Sequence, residues 1–457
     1  MFRFTFRKHR TQILIYGIAS IALFACRAEC QVLAVTTDSY QQALKAAQTT
    51  GFVVTPQALS QSMPRTDRNA ASIYARISAL LTGHPLSDSD KAIEKSCNTP
   101  YPTPAQITRI RTLLAHHADI LKLTHQAAKL PECVFSRNWG IANPGEVPFP
   151  ELTGIRQAVR LLSFESLVMA HEGRGLAAVQ NEADGFRLAR HGGSDCLLIS
   201  ILLQVACDSI TFHGMQNIMV STHGNAAVAK AIRETINANW HEPLFEQAFR
   251  RETAIQIGIV EYSRSIGLSG VERKQQVSSE DKQLWDTSMM ANGIYLLEQM
   301  RKLAAAAELP YPTMRAREDE ITDEIKRENP PDEEDDISLS LDMIRNAPLT
   351  ANHTFGYLLV PEGIQTLSTK PSDLAMAGVT NAAASIFEYK AAHGEFPETL
   401  AGMKMPPSTD PYDLKPLRYR REGKGFVVYS IGATMKYDGG KPGQKLPSKE
   451  AVFRYEP

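Results

Sequence analysis

The sequence predicts a mainly α-helical protein, either a helical bundle or an irregular α-solenoid, that ends in a small α+β unit. From about residue 68 to 305, apolar residues recur at steps of three and four, and only short breaks separate the segments. This pattern is typical of amphipathic helices that pack against antiparallel neighbours. In the last hundred residues, one helical segment precedes two β-rich runs joined by a short loop, which predicts a helix and a small antiparallel sheet.

The first thirty residues have the order of a secretory signal peptide. Four basic residues lie between Arg3 and Arg10, and an apolar run extends from Ile13 to Ala25. The run is shorter than the about 20 apolar residues that a membrane-spanning helix needs. A cleaved or lipid-tethered signal is therefore favoured over a permanent span. The sequence predicts a periplasmic or membrane-tethered protein of the cell envelope that associates with the membrane through its N-terminus.

A possible lipid attachment site lies at the end of this segment. The tetrapeptide Leu23-Phe24-Ala25-Cys26 resembles a bacterial lipobox, although Phe24 is atypical at the second position. The resemblance implies that Cys26 is acylated after cleavage. Simple cleavage further along the chain and an uncleaved anchor stay open as alternatives.

Composition limits the classes of partner. The sequence is 43% hydrophobic and 22% charged, which is ordinary for a globular protein. Residues 1–30 hold five of the 49 basic residues and one of the 50 acidic residues, so 44 basic and 49 acidic residues remain. This balance gives no electrostatic reason to expect a nucleic acid partner.

The chain after the signal exceeds one ordinary core and should divide into two or three units. We expect a helical domain over residues 31–312, an acidic linker with a helical connection over 313–371, and an α+β unit over 372–457. The acidic stretch around Pro330 and Pro331 lacks the ligand spacing and central glycine of an EF-hand loop. We interpret it as a solvated linker or exposed helix end.

Several helices can be placed from local signals. One is expected to start near Pro104 and to carry an apolar stripe as far as Ala128. The glycines after His191 should end the preceding helix, and Ser194 should cap the next one, which is apolar on nearly every side and should be central. Further helical stretches are expected over residues 225–238, 243–265 and 288–309. Helices around residues 155–222 have features of helical-hairpin repeats without a clean period.

Four cysteines follow the signal region, and the sequence favours structural thiols over a disulfide framework. Cys196 and Cys207 fall in one expected helix, about 16 Å apart, and therefore cannot bond each other. Cys97 and Cys133 lie at opposite ends of an expected helix about 39 Å long, so pairing would need the intervening chain to fold back. All four are interpreted as small core residues.

The C-terminal unit should contain one helix that ends at Gly394, followed by strands at Leu417–Arg420 and Phe426–Ile431 with a loop of about five residues between them. We expect Leu417, Tyr419, Phe426 and Val428 to meet the helix. By strand alternation, Arg418 and Arg420 should then point outward. Together with Tyr429, they form a possible docking face for a partner protein, although cross-strand pairing explains such residues equally simply.

The C-terminal motifs resemble the head of type II secretion pseudopilins of the major subunit class. The matching segments are Glu388-Tyr389-Lys390, Gly394-Glu395-Phe396-Pro397, Asp410-Pro411-Tyr412, Pro416-Leu417-Arg418-Tyr419 and Phe426-Val427-Val428-Tyr429-Ser430-Ile431-Gly432. The resemblance covers about residues 372–441 and implies a long helix that carries a small β-sheet. The Gly-Phe-Thr-x-x-Glu processing motif is absent at the N-terminus, so the chain does not resemble a pilus subunit as a whole. Gly432 to Met435 stand where those heads carry acidic residues, so the resemblance does not bring a calcium site with it.

The whole chain also resembles exported planctomycete-type bacterial proteins of uncharacterised function, which join a helical region to such a head. The matching segments are Asn69-Ala70-Ala71-Ser72-Ile73-Tyr74, Leu130-Pro131-Glu132-Cys133-Val134-Phe135 with Trp139, and Phe186-Arg187-Leu188-Ala189-Arg190-His191. This resemblance implies architecture and export, and it implies no particular chemistry.

Sequence motifs of common enzymes are missing. The chain has no His-Glu-x-x-His, Gly-x-Ser-x-Gly, Gly-x-x-x-x-Gly-Lys or Cys-x-x-Cys segment. His117 and His125 should lie about 12 Å apart on one helix, too far to share a metal ion. His191, Asp195 and Cys196 could form a nucleophile cluster, but a helix cap and a buried thiol explain them equally simply. The sequence predicts no catalytic residue, no metal site and no cofactor.

Two functions remain open from the sequence. The first is a non-enzymatic envelope protein whose helical region is a scaffold and whose C-terminal unit docks another envelope protein. The second is an envelope hydrolase or ligand-binding enzyme whose site is assembled from residues distant in sequence. A concave pocket with convergent polar groups would favour the enzyme, and shallow grooves would favour the scaffold.

Overall fold

The computed structural model describes residues 35–97, 101–272, 277–328, 344, 348–403, 409–435 and 451–457. The protein is mainly helical, with a three-stranded antiparallel sheet at its C-terminus. The signal region with Cys26, the acidic residues 329–343 and the segment Asp438-Gly439-Gly440 lie outside the described residues. The expectation of a mainly α-helical protein with a small α+β end is confirmed at this coarse level.

The helices follow one another along the chain, mostly with short connections, and longer segments precede the second and the sixth helix. Their bounds are α1 Thr37–Thr49, α2 Ala71–Gly83, α3 Asp88–Cys97, α4 Pro104–His116, α5 Ala118–Ala128, α6 Glu151–His171, α7 Gly175–Gly192, α8 Leu198–Ser221, α9 Ala226–Asn239, α10 Phe245–Glu272, α11 Ser279–Ala307, α12 Tyr311–Glu328, α13 Pro348–Leu367 and α14 Lys370–His393. The strands are β1 Arg418–Glu422, β2 Gly425–Tyr429 and β3 Val452–Tyr455.

Local capping signals set several helix ends where the sequence predicts them. Thr103 caps α4 and forms a capping box with Gln106, and Pro104 occupies the first turn. The Asn225 side chain caps α9 by accepting from two backbone N–H groups. Gly193 follows the last residue of α7, and Gly394 closes α14 in the left-handed conformation, with φ +86°.

The expected continuous helix from Pro104 to Ala128 is wrong, because the chain breaks at His117. The backbone there leaves helical geometry at φ −112° and ψ 27°, which ends α4 and begins α5. The His117 N–H still bonds the Leu113 carbonyl, and its own carbonyl accepts from Leu121. Burial at steps of three and four continues across this joint, which is why periodicity alone did not show the break.

The apolar helix α8 is buried as expected but begins at Leu198 instead of after Ser194. Cys196 has φ +50°, which interrupts the helix before it can start. The Ser200 hydroxyl accepts from the Leu197 N–H, and the Glu252 carboxylate accepts from the Leu198 N–H at 3.1 Å. Cys196 and Cys207 therefore do not share a helix, which corrects the spacing argument.

The C-terminal helix α14 is part of the same core as the preceding helices. It packs on α8 and α9, and one buried apolar cluster includes residues from α1 to β3. Phe387 of α14 contacts Gly224 so closely that a Cβ at Gly224 would lie 2.2 Å from its ring. Arg233 of α9 pairs with Glu388 at 2.7 Å. The expected boundary at residue 372 thus falls inside a packed helix.

The expected acidic linker over residues 313–371 contains ordinary packed helices where the structure describes it. α12 buries Met314, Ile321 and Ile325, and both α12 and α13 pack on α11. Apart from the buried Glu318, the described charged side chains of α12 are exposed or half-buried, so the composition reflects an amphipathic helix at the surface.

The sheet has the strand order β1-β2-β3, and both pairs are antiparallel. The expected five-residue loop is too long, because Arg421 pairs with Phe426 and Glu422 pairs with Gly425. Only Gly423 and Lys424 form the turn, and Gly423 takes φ +56°, which glycine adopts without steric cost. Phe426 is fully buried against Phe387 of α14, with ring centroids 5.3 Å apart, which confirms the expected contact between hairpin and helix.

Candidate functional site

Arg418, the first residue of the expected docking face, is an internal anchor. Its Nη1 donates to the Asp410 Oδ2 at 2.8 Å and to the Asp413 Oδ1 at 3.0 Å. Its side chain is 19% exposed, and the Asp410 side chain is fully buried. The hydrogen bond and charge of Arg418 hold the pKa of Asp413 below its ordinary value. Two acidic partners already use this guanidinium, so it is not free for a docking partner.

Tyr429 and Arg420 do not complete such a face either. The strand register does place Arg418, Arg420 and Tyr429 on one side of the sheet, as alternation predicts. However, Tyr429 is only 2% exposed, and Arg420 pairs with Glu422 at 2.5 Å. Alternation assigns a side chain to a face and does not say what covers that face. The expected three-residue docking face is therefore wrong as a surface.

Asp410 is the polar centre of the C-terminal unit. Its Oδ1 accepts from the Tyr412 N–H at 3.1 Å and from the Ser430 hydroxyl at 2.9 Å. Its Oδ2 accepts from the Ile431 N–H at 2.7 Å and from Arg418. The carboxylate joins the loop before β1 to the loop after β2. The Asp-Pro-Tyr segment is thus explained by the folding of this unit.

The three residues that could have formed a nucleophile cluster have separate surroundings. The His191 Nδ1 lies 2.9 Å from the Tyr74 hydroxyl, and burial lowers the His191 pKa to about 4. Asp195 pairs with Arg137, at 2.9 Å from its Nε. Burial raises the pKa of the Cys196 thiol to about 11, so the thiolate is scarce at neutral pH. This arrangement does not support nucleophilic catalysis.

A buried ion-pair network, which we call the Arg137 cluster, was missed by sequence analysis. It consists of Arg137, Glu151 and Asp195, whose side chains are 3%, 5% and 7% exposed. The Arg137 guanidinium also donates to the Pro148 carbonyl at 2.9 Å and lies 3.9 Å from the centre of the Phe149 ring. The sequence signal that could have indicated this cluster is a lone arginine within the aromatic-rich segment 135–149. The cluster joins that segment to α6 and to the turn before α8.

The expected histidine positions are also revised. His117 lies at the helix break and His125 lies in α5, and each faces its own carboxylate. The His117 Nε2 is 3.4 Å from Asp90, and the His125 Nε2 is 2.9 Å from Glu165, whose hydrogen bond raises the His125 pKa. Within the described ranges, no group of three His, Cys, Asp or Glu side chains is arranged to hold a metal ion.

The described cysteines are free thiols, in agreement with the prediction. Cys133 and Cys207 are buried, Cys196 is half-buried, and burial raises the pKa of all three. The side chain of Cys97 lies outside the described residues.

Several carboxyl groups inside the helical core were not foreseen. Glu182 is fully buried beside Ser163 and Ser166, and burial raises its pKa to about 8. Asp208 of α8 and Asp373 of α14 are 1% and 2% exposed and influence each other's charge. The sequence offered no signal for these contacts, because acidic residues inside amphipathic helices usually face solvent.

Two concave regions on the described surface lie along α12. One groove, of about 630 Å³, is lined by Glu320, Asp323, Glu324, Lys326 and Arg327. The adjoining groove, of about 290 Å³, is lined by residues of α11, such as Lys302, by residues of α12, and by Leu309 in the link between the two helices. The first groove is lined by charged side chains only, whereas the second also contains apolar side chains. The Arg137 cluster, the Tyr74–His191 pair and Asp410 do not line either groove.

One described helix, α8, is long and apolar enough to cross a membrane. In its most apolar window, 61% of the residues are buried inside the protein. This burial fits the core helix that its sequence predicts.

Comparisons of the chain with protein-family models, curated proteins and solved structures gave no significant match.

Proposed function

We propose that the protein is an exported component of the bacterial cell envelope, a non-enzymatic helical scaffold whose C-terminal α+β unit docks another envelope protein. The observation that carries the proposal is the order of the first thirty residues, in which a basic stretch, a short apolar run and a lipobox-like Cys26 follow one another. This order addresses the chain to the export machinery and tethers it through the N-terminus.

The scaffold part of the proposal is supported by where the polar groups lie. The Arg137 cluster, the Tyr74–His191 pair and Asp410 are buried and occupied by partners inside the protein. The grooves along α12 are open and lined mainly by charged side chains. No observation on the described residues favours the alternative of a hydrolase with a site assembled from distant residues.

The docking part uses the C-terminal unit, which we propose to be pilin-like. α14 packed against a three-stranded antiparallel sheet is compatible with the pseudopilin resemblance. Since Arg418 and Tyr429 are internal, the partner must use other side chains. Leu414 and Met435 are 53% and 44% exposed and stand in the two loops that Asp410 joins. Both have left-handed backbones, at φ +61° and +54°, which is uncommon for such residues and concentrates at binding sites.

The export claim is tested by fractionation of cells that make the full chain. We expect the mature protein in the envelope fraction, with lipid mass on the N-terminal peptide that begins at Cys26. Cys26→Ala should give protein that is poorly exported or released as soluble material. Equal membrane retention of the variant, without lipid on the wild type, would exclude the lipoprotein version. An intact N-terminus on cytoplasmic protein would exclude export.

The docking claim is tested by cross-linking in the isolated envelope fraction. Leu414→Asp should remove a cross-linked partner, because a charge on an apolar contact opposes burial. Leu176→Asp is the matched control, since Leu176 is 57% exposed and lies in the helical region on α7. Loss of the partner in both variants, or in neither, would contradict docking through the C-terminal unit.

A further inference from the structure

Two buried carboxyl groups lie on helices α8 and α14, which pack against each other. Asp208 of α8 and Asp373 of α14 are almost completely buried, and the charge of Asp373 acts on Asp208. Further along the same contact, the Gln216 Nε2 donates to the Thr380 hydroxyl at 2.9 Å. The carboxyl pair therefore belongs to the surface by which the helix of the C-terminal unit attaches to the helical region.

The oxygens of the pair are poorly compensated. The Asp208 Oδ2 and both Asp373 oxygens accept no hydrogen bond of ordinary geometry within the described part of the chain. Isolated buried carboxylates are very unfavourable, because they lose hydration without gaining a partner. Two such groups near each other cannot both be ionised without strong repulsion.

The neighbouring elements supply few compensating groups. Arg190 of α7 is the nearby cation, and its own pKa is lowered by burial. The Gln204 side chain faces Asp208 from one turn earlier on α8. After α9, the Trp240 indole faces Asp373, and Glu242 adds a second negative charge. Lys370 is engaged by Glu242 at 3.0 Å.

This environment favours the protonated forms. Burial raises the pKa of Asp373 to about 8. Burial and then the charge of Asp373 raise the pKa of Asp208 well above its ordinary value. An aspartate exposed to water has a pKa of about 3.9. The closed contact thus holds protons that these groups would release if α14 separated from α8.

We propose that Asp208 and Asp373 form a proton-dependent latch that attaches α14, and the sheet packed on it, to α8. A group whose pKa is raised in the closed state contributes full stability below the pKa of the open state. That contribution is lost as the pH rises through the pKa of the closed state. Opening of α14 therefore becomes easier from about pH 4 to pH 8 and levels off above that range for Asp373.

The test is hydrogen exchange of the purified full chain, read by mass spectrometry and corrected for the intrinsic pH dependence of exchange. Between pH 6.5 and 8, the opening constant of peptides from α14 should rise by about tenfold or more per pH unit. Peptides from α2 are the internal reference, because that helix contains no carboxyl side chain. Equal pH slopes in α14 and α2 would overturn the proposal.

Variants assign the effect to the pair. Asp373→Asn should lower the α14 slope by about tenfold per pH unit, since the amide has no proton to release. Asp88→Asn should leave it unchanged, because the Asp88 side chain is fully exposed. An α14 slope in Asp373→Asn equal to that of the wild type would contradict the latch. If Asp373→Asn does not fold, Asp208→Asn is measured instead. The difference in pH slope between α14 and α2 of the wild type then still tests the proposal.

Discussion

The Arg137 cluster and the Asp208–Asp373 latch both bury two carboxyl groups, yet their chemistry is opposite. Arg137 contributes a cation that lies between Glu151 and Asp195 and donates to both. In the latch, the nearby Arg190 does not offset burial, and the pKa of each carboxyl group is raised. The difference teaches that a hydrogen-bonded guanidinium compensates the buried acids of the Arg137 cluster. In the latch, burial and a neighbouring acid outweigh the influence of the nearby cation and raise the pKa.

The largest expected effect comes from removal of the cation from the Arg137 cluster. Arg137→Ala leaves Glu151 and Asp195 buried without their partner, which should lower the free energy of unfolding by about 3 to 5 kcal/mol. Urea denaturation measures this loss. Arg65→Ala is the control, because the Arg65 side chain is 81% exposed in its ion pair with Asp67. A loss below about 1 kcal/mol would place the cluster with surface ion pairs.

A smaller loss is expected at the polar centre of the C-terminal unit. Arg418→Ala removes a charged donor from buried Asp410 and should cost about 1.5 to 3 kcal/mol, as for hydrogen bonds to charged groups. The same denaturation experiment measures it. Unchanged stability would restore Arg418 as a candidate for the docking face.

The local stability around Asp413 and the local stability of α14 should change with pH in opposite directions. Arg418 lowers the Asp413 pKa, so the contribution of this pair is present above the ordinary aspartate value of about 4. It is lost as the pH falls through the lower pKa of the folded state. Exchange in peptides that cover residues 409–422 should therefore increase on the acid side, whereas exchange in α14 increases as the pH rises to about 8. If exchange changed with pH in the same direction in both sets of peptides, the contrast between paired and unpaired carboxyl groups would be wrong.

The smallest effect is expected for Arg420. Its side chain is 37% exposed and pairs with Glu422 at the surface of the sheet. Arg420→Ala should change the free energy of unfolding by less than about 1 kcal/mol, as for other exposed pairs. Thermal melts of Arg420→Ala and Arg418→Ala, measured side by side, compare the stability lost at two arginines that are two residues apart on one strand. Equal losses in both variants would mean that burial does not separate their roles.

The sequence by itself determined the elements whose signals are local. Thr103 with Gln106, Asn225 and Gly394 mark helix ends because capping joins backbone groups only a few residues away. The hairpin around Gly423 and the apolar character of α8 could also be predicted from neighbouring residues. The break at His117 was missed because the buried residues of α4 and α5 keep the same helical spacing on both sides of it.

Only the tertiary structure decided which polar groups meet. Arg137 and Asp195 are 58 residues apart, and their contact depends on how the segment before α6 folds against the turn before α8. Asp208 and Asp373 come from α8 and α14, which no local pattern connects. Strand alternation correctly placed Arg418 and Tyr429 on one side of the sheet. Whether that side is buried depends on residues that are distant in the sequence. Packing sets the local dielectric and the hydrogen-bond partners, and these determine whether a charged side chain is a structural anchor, a proton store or a free surface group.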